Sequence, residues 1–275
     1  MADHLAVPLP PDVARAVSDR WPDRAEQWHL DIGSELRHLC HRYGAVPLAV
    51  IPARYAFVVS TSTRHGPLIM RASPDPDGPS QAKVAQSLAE IGVAPRVHEI
   101  MTSPTGTWLV MDQISPGKPL ADLDFNAAYP AVRATLSTLR NGAPELPETP
   151  SLVDWLRARL VGGGNRDMAP GEEQASEQQR AAAVATLSSL ERDTSSVLCH
   201  GDASPWNFLV DHEERLWLID PRGVHGEIAY DVAVVALKAS VSAPPVATVR
   251  HLAADIGVSV DRAEAWMEVA AAARV

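Results

Sequence analysis

The chain has 275 residues, 46% of them hydrophobic, enough for one large domain or for two lobes sharing a cleft, with a substantial core. Lysine and arginine total 24 against 34 aspartates and glutamates, a net charge of −10 with no basic run, and this balance argues against polyanion binding. The two cysteines, Cys40 and Cys199, lack metal-ligand spacing and are too few for a disulfide framework, which fits a reducing compartment.

The first residues, MADHLAVPLPPD, carry acids and prolines where a secretion signal needs basic residues and then an apolar stretch. Apolar runs such as Val232 to Leu237 end well short of a membrane span, so the expectation is a soluble cytoplasmic protein. From about Pro47 to Ser73, three short segments rich in β-branched and aromatic residues predict an antiparallel meander, broken at Pro-Ala-Arg and Arg-His-Gly-Pro. SPDPDGPS follows as a loop. QAKVAQSLAEIG, with Val84, Leu88 and Ile91 in helical spacing and Gly92 as a stop, predicts a helix, and TWLVMDQI (107–114) another strand. Beyond Asp122 the pattern turns helical, over Ala127–Leu139, Leu152–Val161 and Glu172–Glu191, with GGGNRDMAPGEE between the last two read as a mobile loop. Further helices are predicted over Tyr230–Ala239, Val246–Ile256 and Arg262–Arg274.

Between these helices lies HGDASPWNFLVDHEERLWLIDPRG, residues 200–223. Its apolar runs read as two strands joined by a hairpin loop at Asp211-His212-Glu213-Glu214. That hairpin would bring Asp220, at the end of the second strand, near Asp202 and Asn207 at the start of the first. Two carboxylates and a carboxamide without nearby lysines are hard-oxygen ligands suited to Mg²⁺ with substrate phosphates completing its shell. Phosphoryl transfer needs such a set: one aspartate for the attacking hydroxyl, an asparagine and an aspartate for metal, and a cation for the phosphates.

The order H-G-D-x₄-N followed by I-D-P-R-G resembles the catalytic loop and metal-binding turn of the aminoglycoside phosphotransferase family. CHGDASPWNFL, LIDPRG and GEIAYDVA together are similar to its streptomycin 6-phosphotransferase and hydroxyurea phosphotransferase branch. The resemblance implies an α+β, two-lobed protein-kinase-like fold: a small β-rich nucleotide-binding lobe over 1–112 and a mainly helical catalytic and acceptor-binding lobe over 113–275. It implies ATP and Mg²⁺ as cofactors, Asp202 as catalytic base, and Asn207 and Asp220 as metal and nucleotide ligands. His200 would brace the loop, and Glu227 and Asp231 would anchor the following helix. Met111, Asp112 and Gln113 would offer hinge backbone groups to adenine. The implied acceptor is a small-molecule antibiotic with a hydroxyl group: an aminoglycoside, favoured by the chain's negative charge, or a hydroxyurea- or nucleoside-type compound. No nucleic-acid or membrane partner is expected, and monomer and homodimer stay open.

Three positions depart from the family pattern. Arg71 in LIMRAS stands where the family has lysine on the third strand. The helix expected to supply a glutamate partner shows Gln81 and Gln86 at its facing positions, with Glu90 near the far end. The turn IPAR (51–54) has no glycine. Competing readings accompany several residues. Asp202 and Asp220 each suit an ordinary turn. Arg71 could be a strand-end charge, and Arg222 could contact phosphate or acceptor, or pair with Glu227. Trp206 could stack on substrate or pack in the core, while His212 and His225 read as exposed loop residues. Two rival functions follow: a nucleotide-binding pseudokinase, and a metal-dependent hydrolase using His200, Asp202 and Asp220.

Overall fold

A computed structural model of the protein describes residues 7–142, 149–162, 173–193, 197–239 and 244–275. Residues 163–172 of the predicted loop GGGNRDMAPGEE, and with them the start of the helix predicted from Glu172, lie outside the described residues. The chain divides into two compact units, one of Met1–Gln86 with Pro95–Gln113, the other of Ser87–Ala94 with Ile114–Val275.

The first unit begins with two helices that have no counterpart among the predicted elements, α1 (Pro11–Arg20) and α2 (Pro22–Tyr43). Both start at a proline, whose missing N–H removes nothing in a first turn. In α2 the residues Ala25, Trp28, Ile32, Leu36 and Leu39 recur at helical spacing and are all buried. The helix stops at Gly44, whose φ of 56° is left-handed.

Five antiparallel strands follow: β1 (Val46–Ile51), β2 (Phe57–Thr63), β3 (Gly66–Ser73), β4 (Val97–Thr102) and β5 (Thr107–Asp112), in the spatial order β1-β2-β3-β5-β4. The predicted meander is present as β1 to β3. Alternation gives the sheet two apolar faces. Phe57, Val59, Met70, Ala72, Trp108 and Val110 pack against α1 and α2, and Trp108 donates its Nε1–H to Glu35 at 2.8 Å. Ile69, Leu109 and Met111 on the other face meet Ala82 and Ala85 of α3 (Gly78–Glu90).

The second unit is mainly helical. It comprises β6 (Pro116–Pro119), α4 (Phe125–Gly142), α5 (Leu152–Val161), α6 (Glu177–Leu190), β7 (Val197–Cys199), β8 (Phe208–Asp211), β9 (Leu216–Leu218), β10 (Val224–Gly226), α7 (Ile228–Lys238), α8 (Pro245–Ile256) and α9 (Val260–Ala273). Every residue of α7 from Ile228 to Ala236 is buried, as befits a stretch apolar on every side except at Asp231. Helices α8 and α9 pack on it. Truncating one of its buried valines would remove about 2 kcal/mol of burial.

Two small sheets carry the segment singled out in the sequence. Strands β6, β8 and β9 form one, with β8 and β9 joined as the predicted hairpin, and β7 pairs with β10 in the other. Asp211 organises the hairpin turn by accepting from the N–H groups of Glu213 and Arg215 and from Trp217 Nε1. Burial works the other way, yet these bonds hold its carboxyl down at about 2. His212 is exposed as expected. His225, expected in an exposed loop, lies in β10 and is half-buried, with Nδ1 2.7 Å from the Thr149 carbonyl.

Candidate active site

Strand β7 delivers its chain end into a loop braced from three sides. Asp231, fully buried in the first turn of α7, accepts the His200 N–H on one carboxylate oxygen at 2.8 Å and the Gly201 N–H on the other at 2.9 Å. It therefore ties the loop to α7 rather than bracing the helix alone. Burial pushes its pKa up to about 7, against the pull of those two bonds.

His200 is fully buried, with both ring nitrogens engaged: Nε2 lies 3.0 Å from the Ile219 carbonyl, and Nδ1 accepts the Asp202 N–H at 3.3 Å. These partners fix one neutral tautomer, and burial lowers its pKa to about 4. A ring so engaged has no lone pair for a metal, which removes the hydrolase reading that used His200 as a ligand. Gly201 holds a φ of 83°, and a Cβ there would sit 2.9 Å from Val224 Cγ2 and 3.0 Å from Arg222 Cβ. Both the conformation and the space demand glycine.

Asn207 closes the loop. Its Nδ2 donates to the Asp202 backbone carbonyl at 2.8 Å and to the Asp202 carboxylate at 3.1 Å. Its own carbonyl accepts the Ile219 N–H at 2.9 Å, extending the β8–β9 pairing by one step. Asp220, the next residue, is thereby brought beside the loop with a left-handed φ of 54°. Gly223 N–H then returns to the His200 carbonyl at 3.1 Å. The structure thus gathers Asp202, Asn207 and Asp220, and the turn-only readings of the two aspartates account for none of these cross-connections.

Burial pushes the Asp202 pKa up to about 6; Asp220 adds to the rise, while Arg222, Lys238 and the Asn207 bond oppose it. The expectation of no nearby lysine is corrected by Lys238, at the end of α7. With Asn207 Nδ2 engaged, its side-chain oxygen is the atom left to face a cation, alongside the exposed Asp220. One carboxamide and one carboxylate oxygen fit Mg²⁺, which keeps waters and takes phosphate oxygens for its other positions.

Other candidates are placed differently from the sequence reading. Glu227 does not pair with Arg222. It accepts from Arg262 Nε at 2.7 Å and Nη2 at 2.6 Å and from Trp266 Nε1 at 2.9 Å. Arg222 instead lies over the Trp155 ring, 5.7 Å from its centroid. Trp206 is 64% exposed, which rules out a core role. In the first unit, Arg71 is half-buried in β3 between Val58 and Leu109, on the face that α3 covers. On α3, Gln81 is buried and donates to Asp75, whereas Gln86 points into solvent rather than toward the sheet. Around Met111, the N–H groups of Asp112 and Gln113 are donated to the carbonyls of Arg96 and Pro67, and the Asp112 carboxylate bonds His98. The residues the sequence reading missed are Trp155, Arg159 and Lys238, which carry no motif and are found through their positions around Asp202 and Arg222.

Among solved structures, the chain is similar to type VIII aminoglycoside-3'-phosphotransferase, at 21% identity and a TM-score of 0.60 over 86% of this chain and 97% of the other. It is also similar to a choline kinase from Streptococcus pneumoniae, at 16% identity and a TM-score of 0.62 over 88% and 86%. A third similar structure is a spectinomycin phosphotransferase in complex with ADP and spectinomycin, at 12% identity and a TM-score of 0.57 over 85% and 83%. These likenesses establish the kinase-like fold, with an antiparallel-sheet unit and a helical unit. No curated protein sequence matches the chain. The pattern of one family, the phosphotransferase enzyme family, matches residues 48–268, and the protein belongs to it.

Proposed function

We propose that the protein transfers the γ-phosphoryl group of ATP to a hydroxyl of a small-molecule antibiotic. The observation that carries this reading is the bond from Asn207 Nδ2 to the Asp202 carboxylate, which holds the proposed base and the proposed metal donor side by side in one loop. Asp202 accepts the hydroxyl proton as the oxygen bonds to phosphorus and the bond to the β-phosphate oxygen breaks, releasing ADP. Asn207 and Asp220 would hold Mg²⁺, which supplies charge neutralisation for the transferring phosphoryl group. Arg71, in the position of the family lysine, steadies the phosphates. Adenine would be held near Met111–Gln113 by backbone groups other than the Asp112 and Gln113 N–H, which are already engaged.

The solved structures that resemble the chain include complexes with AMP and with ADP, which supports nucleotide use. Their acceptors range from antibiotics to choline. IDPRG and GEIAYD favour the streptomycin and hydroxyurea branch, and a cytoplasmic setting with small-molecule partners goes with the same reading. The test is a panel of antibiotics with Mg-ATP, read by mass spectrometry. A phosphate adduct present with wild type and absent with Asp220→Ala supports the reading. No adduct on any compound counts against it.

One observation favours a second reading, a nucleotide-binding scaffold without turnover. The buried polar residues that α3 offers, Gln81 and Ser87, carry no charge, and Gln81 is bonded to Asp75. Mg-dependent ATP binding with no adduct and no slow ATP hydrolysis would select that reading.

A further inference from the structure

The chain has seven tryptophans, and six of them meet a neighbouring ring, a guanidinium or a carboxylate. Trp206 does not. It makes no hydrogen bond and no ring contact among the described residues, and 64% of it is exposed. The chain on either side of it is closed, with Ala203, Ser204, Pro205 and Phe208 all buried. An indole is the largest apolar group a side chain offers, so this one forgoes a burial that each of its neighbours takes.

Bonds inside the loop set where the ring stands. Ser204 N–H donates to the Asp202 carbonyl at 2.8 Å and Asn207 N–H to the Ser204 carbonyl at 2.8 Å, winding Pro205–Asn207 into a single 3₁₀ turn. Asn207 Nδ2 then closes that turn on the Asp202 carboxylate. Trp206 is therefore the residue next to the amide that holds the proposed base, and Asp202 is half-buried, with part of its surface still accessible.

An aromatic face in such a place receives either a quaternary ammonium or the flat face of another ring. Ammonium recognition gathers several aromatic rings into a cage, and Trp206 has no ring against it among the described residues. A single indole suits one flat partner laid on it. We propose that Trp206 is the specificity-determining residue for the acceptor: the face of an acceptor ring packs on its indole while a hydroxyl of that acceptor reaches Asp202. The proposal rests on the phosphotransfer reading and narrows it to sugar, cyclitol or nucleoside acceptors, because hydroxyurea and choline have no ring.

The experiment uses the full chain with Mg-ATP and measures steady-state kinetics on streptomycin, hygromycin B, adenosine, hydroxyurea and choline, in wild type, Trp206→Phe and Trp206→Ala. One of the three ring compounds is expected to be phosphorylated best. Its KM is expected to rise about tenfold or more in Trp206→Ala, a loss of about 1.4 kcal/mol, and about threefold or less in Trp206→Phe. The rise is expected in that KM alone, with kcat and the KM for ATP moving by no more than about threefold. In parallel, acrylamide quenching of fluorescence is measured in the presence of Mg²⁺ and the β,γ-methylene analogue of ATP. The difference between wild type and Trp206→Phe isolates Trp206 from the other six indoles, and its quenching is expected to fall when the same ring compound is added. A preference for hydroxyurea or choline, an unchanged KM in Trp206→Ala, or quenching that the ring compound leaves unmoved overturns the proposal. So does a KM for ATP that rises as much as that of the acceptor, because the indole would then serve the nucleotide. No adduct on any of the five, with Trp206 still shielded by a ring compound, overturns the phosphotransfer reading and keeps the platform; neither adduct nor shielding overturns both.

Discussion

The loop from His200 to Asp220 and the sheet face that carries Arg71 are held by different forces. In the loop, position comes from directed bonds: Asp231 to two N–H groups, His200 to the Ile219 carbonyl, Asn207 to Asp202. On the sheet face, position comes from packing of Ile69, Leu109 and Met111 against Ala82 and Ala85. A bonded loop defines its atoms to within a hydrogen-bond length and fails when one partner is removed. A packed face accepts a changed side chain more readily, provided volume is kept. A change of side chain at Arg71 would therefore leave the fold undisturbed if volume is kept, whereas the loop depends on every member of its set.

The sharpest way to break the loop chemically without breaking it structurally is Asp202→Asn. Turnover is expected to fall about 10³-fold with ATP affinity unchanged, measured by steady-state kinetics and by titration of the analogue. Retained turnover would remove Asp202 from the base role. Breaking the loop structurally takes Asp231→Ala, which leaves two buried N–H groups unpaired and is expected to lower stability by about 3 kcal/mol in urea denaturation, with Asp231→Asn intermediate.

The contribution of His200 is separable by pH. Its folded pKa, about 4, lies below the ordinary value of 6.5, so the unfolded chain binds more protons as pH falls, and the stability it contributes is present above 6.5 and lost on going down toward 4. Between pH 7 and pH 5 wild type is expected to lose about 2 kcal/mol relative to His200→Gln, because the neighbouring acids titrate in both proteins. A constant difference would show that His200 titrates normally. The smallest effect is expected on the packed side: Arg71→Ala should weaken analogue binding about tenfold, with Arg71→Lys restoring most of it and neither change shifting the melting temperature appreciably. Unchanged affinity would leave Arg71 as a strand-end charge.

What was legible in the sequence divides along similar lines. The hairpin 208–218 and the H-G-D-x₄-N spacing are local, so residue types alone place Asp202, Asn207 and Asp220 together. The meander is legible because alternating residues serve two buried faces. The first two helices were not among the predicted elements, although Trp28, Ile32, Leu36 and Leu39 carry a plain helical period and Pro11 and Pro22 stand where a helix starts. Glu227 shows the limit of local reasoning. Arg222 is five residues away and looked like its partner, yet Arg262, 35 residues on, holds it through a helix packing that no spacing announces. Lys238 was missed because its effect on Asp202 depends on the rise of α7 rather than on neighbours in sequence.

Asp220 stands at a φ of 54°, a backbone state that glycine and asparagine adopt more easily. The residue proposed to present a metal donor is therefore also a small reservoir of strain, on the order of 1 kcal/mol. Selection for thermal robustness alone would drift toward glycine at this position and lose the reaction as it did so. Directed evolution of this protein under heat, without a screen for turnover, should find that exchange early, and the resulting inert, sturdier chain would be a convenient trap in which to capture an acceptor without consuming it.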